Sequence, residues 1–508
     1  MIEDTIISIK NNMKERRQLE GLSMNTETTV KAILFSSIAF ALIGSLKMLF
    51  NIIVSRSFGT DSILILGMTN VALSFALLIS MIISTGLTNS MNKFVSDYIS
   101  RNDKSSARLV YERNMRINLI IVLPFVIIIG IFSNEIGGLL GVDVAYIYFS
   151  LPIIFFSSFY YLIRATFYSL KDSKGYLKRE IVADVSFFIV LFILITFNSF
   201  ASILLSFSAL YVVFIVISIK KIDENLPKIK AIGSSEKNPI LSYASLTTIG
   251  TIMSMATAYL PNILTSSISG ARAAALFAVA YSVITIVLLI PNVMSQVLLP
   301  RVSGLWGRLK VESIRRAISL WTASLIIVCG IVIGLMIILC EDILNILFGE
   351  EYVDAKPTLI LLLIGVFMIS VSRPSNIALI GTKYVKISAI VSIIAFCIAL
   401  IIWNSLIRIE GELGAAMGYL AAAIINSLGS IFYAGKLWSV NHKSSIVPIF
   451  MIVFLLILIL TLIPLDTITN RIFASGLYLV TFIAPNWNRI SFLWKEIRQF
   501  DESITSIE

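Results

Sequence analysis

Apolar residues in this chain come in blocks separated by short polar stretches. The blocks run to about 20 residues, the length a helix needs to cross about 30 Å of hydrocarbon. They predict spans at about 31–54, 62–86, 117–133, 145–169, 181–197, 201–219, 239–265, 273–298, 317–340, 357–380, 387–405, 414–434, 447–464 and 471–485. The strict alternation of a membrane β-barrel strand is absent. The pattern therefore predicts an all-α polytopic membrane protein with about 14 transmembrane helices.

Composition agrees. Hydrophobic residues make up 57% and charged residues 14% of 508 residues, with a mean hydropathy of +0.92. A soluble chain is nearer half apolar and about a quarter charged. The net charge of +10 would suggest nucleic acid in a soluble protein. Here the positive-inside bias accounts for it, and no nucleic-acid partner is expected. With the N-terminus inside, Arg56, Arg272, Lys356, Arg408 and Arg471 fall in outer loops, and Lys47, Arg164 and Arg373 inside spans. The rest of the 40 Lys and Arg lie on inner segments. A missed helix would flip every later loop and spoil this alternation. The bias thus predicts a multi-pass protein of the cell (plasma) membrane with both termini cytoplasmic. Residues 1–29 are polar and do not read as a cleaved signal peptide.

Several chemistries have no foothold. Cys329, Cys340 and Cys397 lie in or beside apolar segments, and the one histidine, His442, lies in a loop. Neither a metal site nor a cofactor is expected. No Walker-type sequence occurs, and no outer loop is long enough for a catalytic domain. Glu341 and Asp342 are adjacent in an outer loop, where a solvated helix cap is the expected reading. The chain is not expected to be an enzyme.

The halves look related. A shift of 207 places Val95-Ser96 on Val302-Ser303, Arg101 on Arg308, Ser106 on Ser313 and Arg108 on Arg315. A shift of 208 places Tyr176 on Tyr384 and Lys178 on Lys386, and 209 places Arg164 on Arg373. Six spans per half give both repeats the same orientation, related by a pseudo-two-fold along the membrane normal. The expected order is a cytoplasmic segment 1–30, an N-lobe 31–219, a linker 220–238, a C-lobe 239–435, two further helices within 447–485 and a cytoplasmic tail 486–508.

Arg56-Ser57-Phe58-Gly59 after the first span, Gly86-Leu87-Thr88-Asn89-Ser90 closing the second, the basic stretch Phe94 to Arg108, and the small-residue stretch Gly270 to Tyr281 carry a resemblance. The chain resembles the Wzx-type polysaccharide flippases of the multidrug/oligosaccharidyl-lipid/polysaccharide (MOP) exporter superfamily. Ile63 to Leu66 stand where members often carry Tyr-Gly. The resemblance implies alternating access between two six-helix lobes that moves a lipid-linked oligosaccharide from the cytoplasmic to the outer leaflet. It implies a monomer whose partners are the lipid-linked glycan and membrane lipids, with glycan-assembly enzymes as candidates. The alternatives are a cation-coupled multidrug exporter or a lipid II-type flippase of the same superfamily and, from another class, a membrane glycosyltransferase. An exporter would want a carboxylate in the first span, and 31–54 has none.

Polar residues inside the spans are the candidate site. Ser37, Gly44, Lys47, Asn51 and Ser55 share one helical face. A cation there should face a cavity, since a charge in hydrocarbon costs several kcal/mol. Lys47 is expected to meet the phosphate or pyrophosphate of a carrier lipid, or else to snorkel to the outer interface. In the seventh span Thr247, Thr251, Ser254, Pro261, Asn262 and Thr265 form a matching uncharged stripe, with Ser254 at the repeat position of Lys47. Pro261 is expected to break that helix and free carbonyls, the plainer reading being close packing of small residues. Arg164 and Arg373 are repeat mates able to bind phosphate bidentately, or to snorkel. Asp184 is expected to pair with Arg164 or to serve as a coupling-ion site. The basic loops 93–116 and 300–316 are expected to set topology and meet anionic headgroups.

Overall fold

The structure, a computed structural model, describes residues 26–226, 246–308, 310–440 and 443–505. Most of the expected N-terminal segment and linker lies outside the described residues, as does His442. A helix of 20 residues or more overlaps each predicted span: α1 (Thr26–Ser57), α2 (Ser62–Ser90), α3 (Lys104–Ile131), α4 (Val144–Ser169), α5 (Ser173–Thr196), α6 (Leu205–Asn225), α7 (Leu246–Ser269), α8 (Ala271–Gly307), α9 (Val311–Ile338), α10 (Lys356–Ile380), α11 (Val385–Glu410), α12 (Glu412–Trp438), α13 (Lys443–Leu462) and α14 (Ile468–Thr505), with 239–245 of the seventh outside the described residues. No strand occurs among the described residues. Hydrocarbon offers no partner to a free peptide group, so an apolar block must satisfy its own backbone as helix. Among the described residues, nine helical stretches are long and apolar enough to cross a membrane.

Local signals explain several ends. The Asp103 and Asp172 carboxylates accept from the backbone N–H groups of Ser106 and Gly175, each at 2.9 Å, and so cap α3 and α5. Gly411 has a φ of 55° in the tight turn between α11 and α12, a region that suits glycine. The tail expected at 486–508 is helical to Thr505. The break expected at Pro261 does not occur: α7 runs through it, and the Thr265 hydroxyl donates to the Pro261 carbonyl at 2.7 Å.

Helix packing carries the repeat. In the first half α4 packs on α2, α3 and α6, and α5 packs on α6 and α1. In the second half α10 packs on α8, α9 and α12, and α11 packs on α12 and α7. Adding six to each number of the first set gives the second. Between the halves, α2 packs on α7 and α8, and α1 packs on α8. These pairs form the seam between the lobes. Below, the outer end is the one carrying Gly59, Gly141, Gly270 and Gly411, following the orientation that the charge bias predicts.

α13 and α14 pack on α9. Gly330 and Gly334 of α9 form the notch that receives them. The Tyr478 hydroxyl of α14 donates to the Gly330 carbonyl at 2.9 Å, and the Tyr478 ring lies against Gly334. Small residues let membrane helices approach closely enough for dispersion to hold them. At the outer end Arg471 of α14 bonds Asp342 at 2.6 Å and Glu341 at 2.8 Å, and Lys356 bonds Glu341 at 2.9 Å. Glu341 and Asp342 are therefore a clamp on the last hairpin rather than a solvated cap. The Lys356 hydrogen bond, with Arg471 beside it, holds the Glu341 carboxyl below the usual carboxylate range.

Gly334→Leu should lower the melting temperature by about 5 °C, because overpacking of this kind costs about 1–3 kcal/mol. Tyr478 is fully buried and stacked on Phe482 at 6.0 Å, so its ring has nowhere to swing. Thermal unfolding in detergent checks this, and an unchanged melting temperature would show that α14 is not seated in the notch.

Candidate substrate site at the lobe interface

Lys47 of α1 projects across the seam. Its ammonium lies 5.9 Å from the ring centroid of Tyr259 on α7 and 6.0 Å from that of Tyr281 on α8. All three side chains are half-buried. Both distances are at the outer limit of a cation–π contact. The cation thus belongs to one half of the chain and its aromatic neighbours to the other. Its ring neighbours place it toward the seam.

The tyrosines continue in both directions. Tyr281 meets Tyr419 of α12 edge-on at 5.9 Å and stacks on Phe277 at 5.9 Å. The Tyr161 hydroxyl of α4 lies within electrostatic reach of Tyr211, Tyr259 and Arg164. Phenols from both lobes therefore form a row that includes the ring neighbours of Lys47. The sequence reading missed this row. Tyrosines are common at membrane depth, and nothing in their local spacing distinguishes these from packing residues.

The other candidates fall into different settings. Asn51, one turn beyond Lys47, is fully buried, and its oxygen accepts from the Asn70 side chain of α2 at 2.9 Å. Both partners of this bond belong to the N-lobe. Ser37 and Thr247 lie outside the residues whose side chains are described. Asn262 is buried and donates to Ser74 of α2 at 3.3 Å. The Asn89 amide approaches Thr248 at 3.5 Å, so α7 touches α2 at two levels. Ser254, between them, is exposed.

Arg164 and Arg373 are repeat mates with unlike surroundings. Arg164 donates to the Tyr168 hydroxyl at 3.1 and 3.2 Å, and its guanidinium lies over the rings of Tyr168 and Tyr176 at 5.5 and 5.7 Å. Arg373 donates to Ser295 at 2.7 Å and to Asn292 at 3.0 Å, both on α8. Of the acids on α5, Glu180, one turn before Asp184, lies within electrostatic reach of Arg164. Glu180 accepts from the Tyr160 hydroxyl at 2.8 Å. Asp184 is buried, and its Oδ1 has no hydrogen-bond partner. Within the basic stretch 93–116, Arg108 is corrected. It is buried and holds Glu112 at 2.7 Å, Asp223 at 2.6 Å and the Leu226 carbonyl at 3.0 Å, tying α3 to the end of α6.

The outer end of the seam is closed. Arg56 donates to the carbonyls of Asn345 and Ile346 at 2.7 and 2.8 Å. Ser62 and Tyr352 share a hydrogen bond at 3.3 Å. Gly67 of α2 lies directly against the Ala271 carbonyl, and a Cβ at Gly141 would sit 3.0 Å from the Ser266 carbonyl. A second feature flanks the seam: an apolar groove of about 790 Å³ lined by Ile290, Met294 and Val297 of α8, Trp321 and Val328 of α9, and Ile490 of α14.

No family model matches the chain. A stretch of 173 residues is 32% identical to an uncharacterized membrane protein in the cps region of Klebsiella pneumoniae, covering 30% of this chain and 34% of that protein. The match thus spans about a third of the curated relative's length. Among solved structures, the chain is similar to the lipid II flippase MurJ in its inward closed conformation, with a TM-score of 0.64 at 16% identity, over 90% of this chain and 100% of that one. It is similar to a mutant of the Vibrio cholerae MATE transporter VcmN, with a TM-score of 0.62 at 15% identity, over 82% and 99% of the two chains. It is also similar to an outward-facing multidrug resistance MATE family transporter of the MOP superfamily, with a TM-score of 0.58 at 15% identity, over 80% and 96%. At such identities the likeness is one of fold: this is a polytopic membrane protein with the helical architecture of MATE and MurJ transporters.

Proposed function

We propose that the chain is a flippase that moves a lipid-linked oligosaccharide or polysaccharide repeat unit from the cytoplasmic to the outer leaflet. The observation that carries this reading is Lys47, a cation of one lobe set against aromatic side chains of the other. An anionic phosphate or pyrophosphate is the group that such a cation attracts, and binding it there bridges the two lobes. Arg164 and Arg373, in the inner halves of α4 and α10, supply further positive charge on the way in. Ser254 and Asn262 line the α2–α7 side of the same seam. The apolar groove between α8, α9 and α14 suits the hydrocarbon tail, which gains nothing from entering a polar cavity. The similarity to a cps-region membrane protein and to a lipid II flippase supports a glycan carried on a lipid.

In this mechanism closure of the outer end exposes the cationic seam to the cytoplasm, and reopening on the other side releases the headgroup outward. Asp184, buried with an unpartnered oxygen, is the candidate for taking up a coupling cation or proton as the lobes move. A multidrug exporter is the second reading, favoured by the MATE likeness. It is opposed by the cationic seam, which repels the cationic drugs that an exporter would bind.

Deletion of the gene tests the proposal. A lipid-linked glycan should accumulate, identifiable by mass spectrometry of the extracted lipids. Unchanged lipids together with increased sensitivity to cationic drugs would favour the exporter and end the flippase reading.

A further inference from the structure

The phenolic rings around Lys47 have a use of their own. Tyr259 and Tyr281 present half-buried rings to the seam from two different helices. Tyr281 is held in place by Phe277 stacked on it and Tyr419 against its edge. A buttressed ring offers a flat apolar face at low entropic cost. Two kinds of ligand take such faces: an aromatic cation and the C–H face of a pyranose. An aromatic cation is disfavoured here, because the Lys47 ammonium lies about 6 Å from both centroids and repels it. A sugar joined to a phosphate is attracted to both parts of the arrangement. Its phosphate meets the ammonium, and its ring begins one ester oxygen further on.

We infer that Tyr259 and Tyr281 form a sugar subsite that stacks the first pyranose of the substrate, the one attached to the phosphate held by Lys47. This rests on the flippase reading and adds to it a recognition of the glycan itself. Stacking on a ring face tolerates several sugars, so the subsite selects for a pyranose at this position rather than for one hydroxyl pattern.

The test is binding to the purified full chain, measured by calorimetry in detergent. The probes are citronellyl diphosphate alone and the same diphosphate carrying glucose, galactose or N-acetylglucosamine. The wild type should bind at least one glycosylated probe about tenfold more tightly than the bare diphosphate, the gain expected of one good ring contact. Tyr259→Leu should lose most of that gain and Tyr259→Phe should keep it, the gain being taken in each case relative to the same variant's own binding of the bare diphosphate. Tyr281→Phe should behave like Tyr259→Phe, which avoids disturbing the Phe277 and Tyr419 packing. A wild type that binds the bare diphosphate and gains nothing from any sugar overturns the subsite and leaves the flippase reading standing. So does a Tyr259→Leu variant that keeps the full gain. A wild type that binds none of these probes but binds ethidium overturns the flippase reading itself.

Discussion

Gly67→Leu should leave the protein folded and abolish most of its transport. Gly67 lies on α2 where that helix crosses the start of α8, and a Cβ there would run into the Ala271 carbonyl. The obstacle is backbone, so no rotamer change relieves it, and the two helices must separate at the outer end. The same end is held shut by the Arg56 hydrogen bonds to Asn345 and Ile346 and by Ser62 with Tyr352. A Leu side chain therefore opposes this closure. At about 1–3 kcal/mol for overpacking, the ratio of closed to open states should fall by about 5- to 150-fold. Helix contacts within each lobe are untouched, so expression and thermal stability should stay near wild type. Spin labels at the exposed positions Asp61 and Glu351 give a direct readout, and their distance distribution should move to longer values in Gly67→Leu. Wild-type transport by this variant would mean that the closed outer end is not a state that the cycle visits. Arg56→Gln should move the same equilibrium in the same direction but less, because Arg56 is exposed and such contacts are worth little in water.

Lys47→Ala should reduce glycolipid flipping by about 10- to 100-fold, with Lys47→Arg retaining part of the activity. A charged hydrogen bond to a phosphate in a partly desolvated site is worth about 1.5–3 kcal/mol. Removing the ammonium leaves no buried partner stranded, since its neighbours are the tyrosine rings. The fold should therefore be indifferent to the change. The measurement is outer-leaflet glycolipid in cells expressing each variant at equal level. If Lys47→Ala matched the wild type, Lys47 would leave the site and take with it the argument for an anionic headgroup at the seam.

Much of the fold was legible in the sequence because one rule dominates in lipid. An apolar block of the required length becomes helix, and among the described residues each predicted span overlaps one. The repeat was legible as well, through residues such as Arg101 and Arg308 that recur at a near-constant offset. The individual side chains were less so. Lys47 and Asn51 share a helical face, yet Lys47 turns to the seam and Asn51 to Asn70 inside the N-lobe. Asp184 and Arg164 sit at similar depth, yet Tyr168 holds the arginine while Asp184 keeps an oxygen without a hydrogen-bond partner. Depth along a helix can be read from sequence, whereas rotation about its axis depends on neighbours far away in the chain. The tyrosine row shows the same gap, since Tyr161, Tyr259, Tyr281 and Tyr419 come from four helices.

The last two helices mark the division most plainly. Sequence alone determined that 447–464 and 471–485 would be helices, because an apolar stretch in lipid has no other way to satisfy its peptide groups. It also determined, through the loop charges, the orientation expected of them. Only the tertiary structure decided where they go: into the Gly330–Gly334 notch of α9, with Arg471 on Glu341 and Asp342. Lipid is as apolar as the helices themselves, so hydrophobicity does not choose a helix's partner. Close packing of small residues and the pairing of distant charges choose it.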